Sequence, residues 1–140
     1  MNLYGRTVEI PPEAARRIAD DHVVWLTTVT DGGVPAPNPV WFVPDGDDLV
    51  VYTAPGSRKV HNIEQRAKVA VHFNSDRQGG DVVVITGVAS LAHGRAPSRF
   101  PGYLDKYLAD IEGPLATTVE DIDRTYDTEV RIRPTGVRLT

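Results

Sequence analysis

Apolar and polar positions alternate along most of the chain with the period of β-strands, broken by a few stretches of helical period. The first of these is Pro11 to Asp20, a short helix. Two prolines suit its entry, Glu13 sits in its first turn, and Ala14, Ala15 and Ile18 supply an apolar side. His22 to Thr30 (HVVWLTTVT) is β-branched and aromatic and reads as a strand. Asp31-Gly32-Gly33 is a hairpin signal. Ala36 to Val43 is the return strand, and its prolines, Pro37 and Pro39, suit an edge or a bulge. Pro44-Asp45-Gly46-Asp47 forms the next turn, and Leu49 to Thr53 a third strand.

Ala54-Pro55-Gly56 then breaks the chain, and Ser57 to Arg66 reads as a helix with Ser57 as its N-cap. Lys68 to Asn74 alternates and is a strand, Ser75 to Gly80 a polar loop. Val82 to Leu91 is a long strand in which Gly87 marks a bulge or bend. Pro97 to Glu112 holds a helix with Tyr103, Leu104, Tyr107, Leu108 and Ile111 at helical spacing. Leu115 to Asp127 is partly helical. Glu129 to Ile132 and Gly136 to Leu139 are two short strands around Pro134-Thr135.

The first strands are joined by turns too short for a parallel crossover. Strands in hairpin order with helices as excursions predict a mainly β domain over residues 1–140, an antiparallel barrel with peripheral α-helices. A chain of 140 residues can bury one core without staples. Without cysteines it has no disulfide, thiolate zinc site or cysteine nucleophile, which fits a reducing compartment. The first residues carry no apolar stretch suited to a signal peptide, and no apolar run approaches a membrane span, so a cytoplasmic location with no membrane partner is expected. The net charge of -4 argues against a nucleic-acid partner.

Candidate chemistry concentrates between Leu49 and Phe73. A strand ends, a glycine turn follows, and a helix opens on Ser57-Arg58-Lys59. A helix N-terminus presents unpaired N–H groups and partial positive charge, to which Arg58, Lys59 and the Ser57 hydroxyl would add an anion site. The same residues also read as a capped surface helix with two solvated cations. The cations oppose the helix dipole, a cost that an anion at this end would offset. The four histidines have no spacing for a metal face, so no metal is expected. Glu120, Asp121, Asp123, Asp127 and Glu129 lack the alternation and central glycine of a calcium loop and read as a solvated face. Trp25 is assigned to the core.

The run Tyr52-Thr53, then Gly56-Ser57-Arg58-Lys59, then His61, Ile63, Glu64 and Lys68-Val69-Ala70-Val71, resembles the flavin-phosphate segment of pyridoxamine 5'-phosphate oxidase-like proteins. The resemblance extends to Asn38–Phe42, similar to the strand beside the isoalloxazine ring, and to Val82–Ala89 around Gly87. The segment Tyr103 to Tyr107 (YLDKY) looks like a helix of the actinobacterial branch, which includes users of the deazaflavin F420. The resemblance implies a split barrel, a homodimer with the cofactor at its interface, and a small-molecule substrate. It also implies contacts to the cofactor from Tyr52, Thr53, Arg58 and Lys59, with Ser57 assisting. Val40, Trp41 and Phe42 would support the ring.

True pyridoxamine phosphate oxidases carry a glutamine where Val82 stands and basic residues flanking the ring strand, absent between Asn38 and Val43. Their histidine–arginine substrate motif has no match in the C-terminal TEVRIRPTGVRLT. These departures favour coenzyme F420, with FMN as the alternative. The activity implied is hydride transfer between a deazaflavin and a small electron-poor organic molecule. An FMN-dependent oxidase or reductase, or a non-catalytic flavin, F420 or haem binder, stands as the alternative. No catalytic acid is singled out. Arg6, Arg16, Arg17, Arg66 and Arg77 are candidates to meet the acidic tail of F420.

Overall fold

The computed structural model describes residues 8–140. Its strands are β1 (Val23–Val29), β2 (Pro35–Trp41), β3 (Val43–Asp45), β4 (Asp48–Thr53), β5 (Lys68–His72), β6 (Val83–Ala92) and β7 (Thr128–Leu139). Its helices are α1 (Pro12–Asp20), α2 (Arg58–Gln65), α3 (Tyr103–Glu112) and α4 (Val119–Thr125). All strand pairs are antiparallel, in the order β2-β1-β5-β6-β7-β4-β3. β2 and β3 are the two edges of this sheet, yet only Phe42 separates them in the chain. The sheet must therefore curl until its edges nearly meet, which makes it a split barrel. Pro35, Pro37 and Pro39 all lie on edge strand β2, where missing ladder donors cost least.

Alternation decides which side chains enter the barrel. Val24 and Leu26 of β1, Val69 and Val71 of β5, Val83 and Ile85 of β6, and Val130 and Ile132 of β7 point inward and are buried. Leu49 and Val51 of β4 join them. The opposite face of β4 is covered as well: Val50 and Tyr52 pack with Val43 and Trp41 under Tyr103, Tyr107 and Ile111 of α3 and Ile122 of α4. β4 is thus the strand that both layers share, and the candidate chemistry begins at its end.

At α1, Arg17 is almost wholly buried. Its guanidinium donates to the carboxylates of Asp21 and Asp81 and to the carbonyls of Asn74 and Asp81, at 2.7–3.1 Å. Arg16 also pairs with Asp81. Both arginines are therefore engaged in fastening α1 to the Asn74–Asp81 loop, and Arg6 lies outside the described residues. No described helix is long and apolar enough to cross a membrane.

Four sequence expectations change. The return strand expected over Ala36 to Val43 breaks at Phe42, and Pro44 and Asp45 of the expected turn belong to β3. The C-terminal segment is one continuous strand rather than two. Pro134 lies opposite Gly87, where β6 has its register shift, so the irregularity of one strand absorbs the missing donor of the other. The segment expected as one helix from Pro97 divides into a 3-10 turn (Pro97–Arg99) and α3, separated by Gly102 in the left-handed region at φ 91°. Trp25 is not in the core. It stands half-exposed on the outer sheet face, stacked on His72 at 6.1 Å and donating from Nε1 to Asn74 at 2.9 Å.

Candidate cofactor pocket

The end of β4 and the start of α2 form one locally determined unit. Ser57 N–H closes the Ala54-Pro55-Gly56 turn by donating to the Ala54 carbonyl at 3.0 Å. The Ser57 hydroxyl accepts from Val60 N–H, the expected N-cap, and also from the Thr53 hydroxyl at 3.2 Å. α2 buries Val60 and Ile63, and its Asn62 amide donates to the buried Thr28 hydroxyl at 3.0 Å. His61 pairs with Asp31 at 2.8 Å, and Arg66 donates to the Thr30 carbonyl. The first turn of α2 is therefore fixed against β4, β1 and the β1–β2 hairpin. That accounts for His61 and Arg66 as fastenings of the hairpin.

Beside this helix start is an open cavity of about 270 Å³ lined by Pro39, Val40, Trp41, Tyr52, Thr53, Lys59, Tyr103, Leu115, Ile122 and Tyr126. The structure thus brings Val40, Trp41, Tyr52, Thr53 and Lys59 together at one place. Ser57 stands behind Thr53 as the cap, and Arg58 is exposed beside the pocket without lining it. Phe42 differs from expectation. Its side chain is wholly buried in the barrel against Phe73, so it supports the core and not the pocket. It follows Trp41 directly in an extended segment, which turns the two side chains to opposite faces.

The far wall was not legible in the sequence. Tyr103 comes from α3, Ile122 from α4, Leu115 from the loop between them, and Tyr126 from the end of α4. Leu115 and Tyr126 are 51% and 41% exposed, large apolar groups left open at the rim. That exposure is a signal only a tertiary structure gives. Trp41 stacks on Tyr107 at 4.3 Å with rings 1° apart, and Tyr52 meets Tyr103 edge-on at 5.7 Å. The Tyr52 hydroxyl donates to Glu129 at 3.2 Å, its direct cross-strand neighbour on β7. Glu129 is therefore a partner of the pocket, and Asp123 accepts from Ser98, so neither simply faces solvent.

Charge is unevenly placed. Lys59 is the one charged residue among the lining groups, and no carboxylate lines the cavity. Burial holds the Lys59 ammonium below its ordinary range, and it has no carboxylate partner among the described residues. Burial first, and then the Glu129 carboxylate, raise the Tyr52 phenol above its ordinary value, so it stays neutral. Burial does the same to Tyr103. The pocket is an apolar, aromatic slot with a partly desolvated cation at the helix N-terminus. Such a slot suits a planar ring joined to an anionic group. Among the described residues no group of three His, Asp or Glu is placed to hold a metal ion.

The family model for pyridoxamine 5'-phosphate oxidase matches residues 10–140. The chain belongs to the pyridoxamine 5'-phosphate oxidase family. No curated protein matches it in sequence. Among solved structures, this family member is similar to an F420 reductase with 21% identity and a TM-score of 0.71, over 92% of this chain and 98% of the other. It is also similar to HutZ, the haem storage protein of Vibrio cholerae (16% identity, TM-score 0.62, 94% of each chain). A third neighbour is a pyridoxamine 5'-phosphate oxidase-like protein of Listeria innocua (21% identity, TM-score 0.63, 89% of this chain and 92% of that one). At these identities the neighbours establish a common fold, the split barrel expected from the sequence.

Proposed function

We propose that this chain is an F420-dependent oxidoreductase that moves a hydride between the deazaflavin and a small electron-poor organic molecule bound beside it. The observation that carries the reading is Lys59, without a carboxylate partner among the described residues and partly desolvated at the N-terminus of α2, lining an otherwise uncharged, aromatic-walled cavity. The residues fit the group. Lys59 and the helix N-terminus would take the phosphate, with exposed Arg58 reaching it from outside. Val40, Trp41, Tyr52 and Tyr103 would flank the ring, and Thr53 would serve the chain between ring and phosphate. When bound, the cofactor supplies the hydride chemistry, while the protein binds, orients and excludes water. A neutral Tyr52, its proton turned to Glu129, presents lone pairs rather than charge to the slot.

The reading includes a homodimer. The outer faces of β1, β5 and β6 carry Trp25, His72, Val84 and Val88, all half-exposed. A second copy seated there would add a further wall to an open cavity. The alternative occupant is FMN, which offers the same combination of ring and phosphate.

Parallel fluorescence titrations with F420 and FMN test this. Lys59→Ala is expected to weaken F420 binding about tenfold or more, as loss of a charge-assisted contact does. Arg58→Ala is expected to cost less, because Arg58 lies outside the lining. Preference for FMN would replace the deazaflavin reading with an FMN oxidase. Binding of neither cofactor would remove both. Tight binding without oxidation of reduced F420 across a panel of acceptors would make the protein a carrier.

A further inference from the structure

Phe42 occupies a singular place in the fold. The β1–β2 ladder ends at the pair Val23–Trp41, and the β3–β4 ladder begins at Val43–Val50. Phe42 lies between them, where the chain passes from one edge of the sheet to the other, and belongs to neither ladder. Its side chain is wholly buried, so an unpaired N–H or C=O at this residue would be costly. Both groups are satisfied by α3. Phe42 N–H donates to the Tyr107 hydroxyl at 2.9 Å, and Lys106 Nζ donates to the Phe42 carbonyl at 2.7 Å.

Tyr107 is itself wholly buried. Its hydroxyl proton has two carbonyls within reach, that of His22 at 2.6 Å and that of Phe42 at 2.9 Å. It thereby ties the start of β1 to the seam as well. The Lys106 ammonium sits over the Phe42 ring at 3.6 Å and within 5.1 Å of the Tyr107 ring, so aromatic faces also receive its charge. The same Tyr107 ring is the surface on which Trp41 lies flat. Neither Lys106 nor Tyr107 lines the cavity.

We propose that Tyr107 and Lys106 are positioning residues of the pocket: by taking both main-chain groups of Phe42 they hold Trp41 flat, as the wall against which the planar part of a ligand packs. This rests on the reading of the cavity as a cofactor site, but its first consequence concerns Trp41 alone. Of the two tryptophans, Trp25 lies outside the cavity lining, on the face proposed for the second copy, so a Trp25→Phe parent, matched to the natural chain in sedimentation and cofactor affinity, leaves Trp41 as the sole reporter and is the reference for every variant.

In that background, Tyr107→Phe keeps the stacked ring and removes the hydroxyl, while Lys106→Met keeps the stem and removes the donor. Both variants are expected to raise acrylamide quenching of Trp41 and lower its anisotropy. Both are also expected to weaken F420 or FMN binding about tenfold, the worth of one lost hydrogen bond at the wall. Lys106→Arg, which retains a cationic donor, is expected to restore both readouts. Circular dichroism checks that the variants fold, and Lys106→Met carries the test if Tyr107→Phe does not. Unchanged quenching and anisotropy would overturn the assignment. So would a mobile Trp41 with unaltered affinity in a parent that binds. A parent that binds neither cofactor refutes the cofactor reading alone, and the Trp41 signal then decides the positioning role.

Discussion

Lys106 shows how one side chain links packing to pH. Burial lowers its pKa to about 8, against the opposing pull of Asp21, whose own charge is met by Arg17. Asp105 is the sequence neighbour of Lys106 in the first turn of α3, and Asp110, one turn on, contacts the His22 ring at 3.3 Å. A lysine depressed in the folded state binds fewer protons there than in the unfolded chain, so stability rises with pH across the interval between its two values. The gain begins near pH 8 and would be complete at the ordinary lysine value of 10.5. Above 10, the tyrosines reverse it. Burial raises Tyr52, Tyr103 and Tyr107, so their contribution is fully present below pH 10 and is lost as the unfolded chain ionises. Thermal melts between pH 7 and 10 are expected to show a rising midpoint that Lys106→Met flattens. Parallel curves for the two proteins would mean that Lys106 is solvated as an ordinary surface lysine.

At the scale of elements, the β6–β7 pair depends on one glycine. A Cβ at Gly87 would lie 2.7 Å from the Arg133 carbonyl oxygen and 2.8 Å from the Ile132 side chain. The first of these is backbone in the middle of β7 and cannot swing away. Gly87→Ala is therefore expected to destabilise the protein by about 1–3 kcal/mol, the usual range for overpacking, despite the lower entropy cost of alanine in a strand. Urea denaturation measures it, and a neutral or stabilising result would show that the bulge can relax. The α2 unit behaves differently. Its cap, turn and first-turn cations are all local, and Asn62 and His61 merely fasten a helix that its own sequence already specifies.

For the whole molecule, the two layers on β4 explain why the pocket sits where it does. The barrel fills one face of the strand and α3 with α4 fill the other, so Tyr52 and Thr53 emerge where both layers end, beside the start of α2. The half-exposed outer face at Trp25 makes a prediction at this scale. Sedimentation is expected to give twice the chain mass, and Trp25→Arg to shift the protein toward a monomer. A wild-type monomer would sink the dimer. The sequence by itself determined most of the strands and turns, the Ser57 cap, the irregularity at Gly87 and the nearness of Tyr52 and Thr53 to Ser57, Arg58 and Lys59. Each of these is written in residues within a few positions of one another, where propensity, period and capping act. Tertiary structure decided the rest. It set the far wall of Tyr103, Leu115, Ile122 and Tyr126, the Glu129 partner of Tyr52, and the inward turn of Phe42. It also joined the C-terminal segment into one strand by placing Pro134 opposite Gly87. Those outcomes depend on the register between segments dozens of residues apart, and the periodicity of a segment says which face is apolar without saying what will cover it.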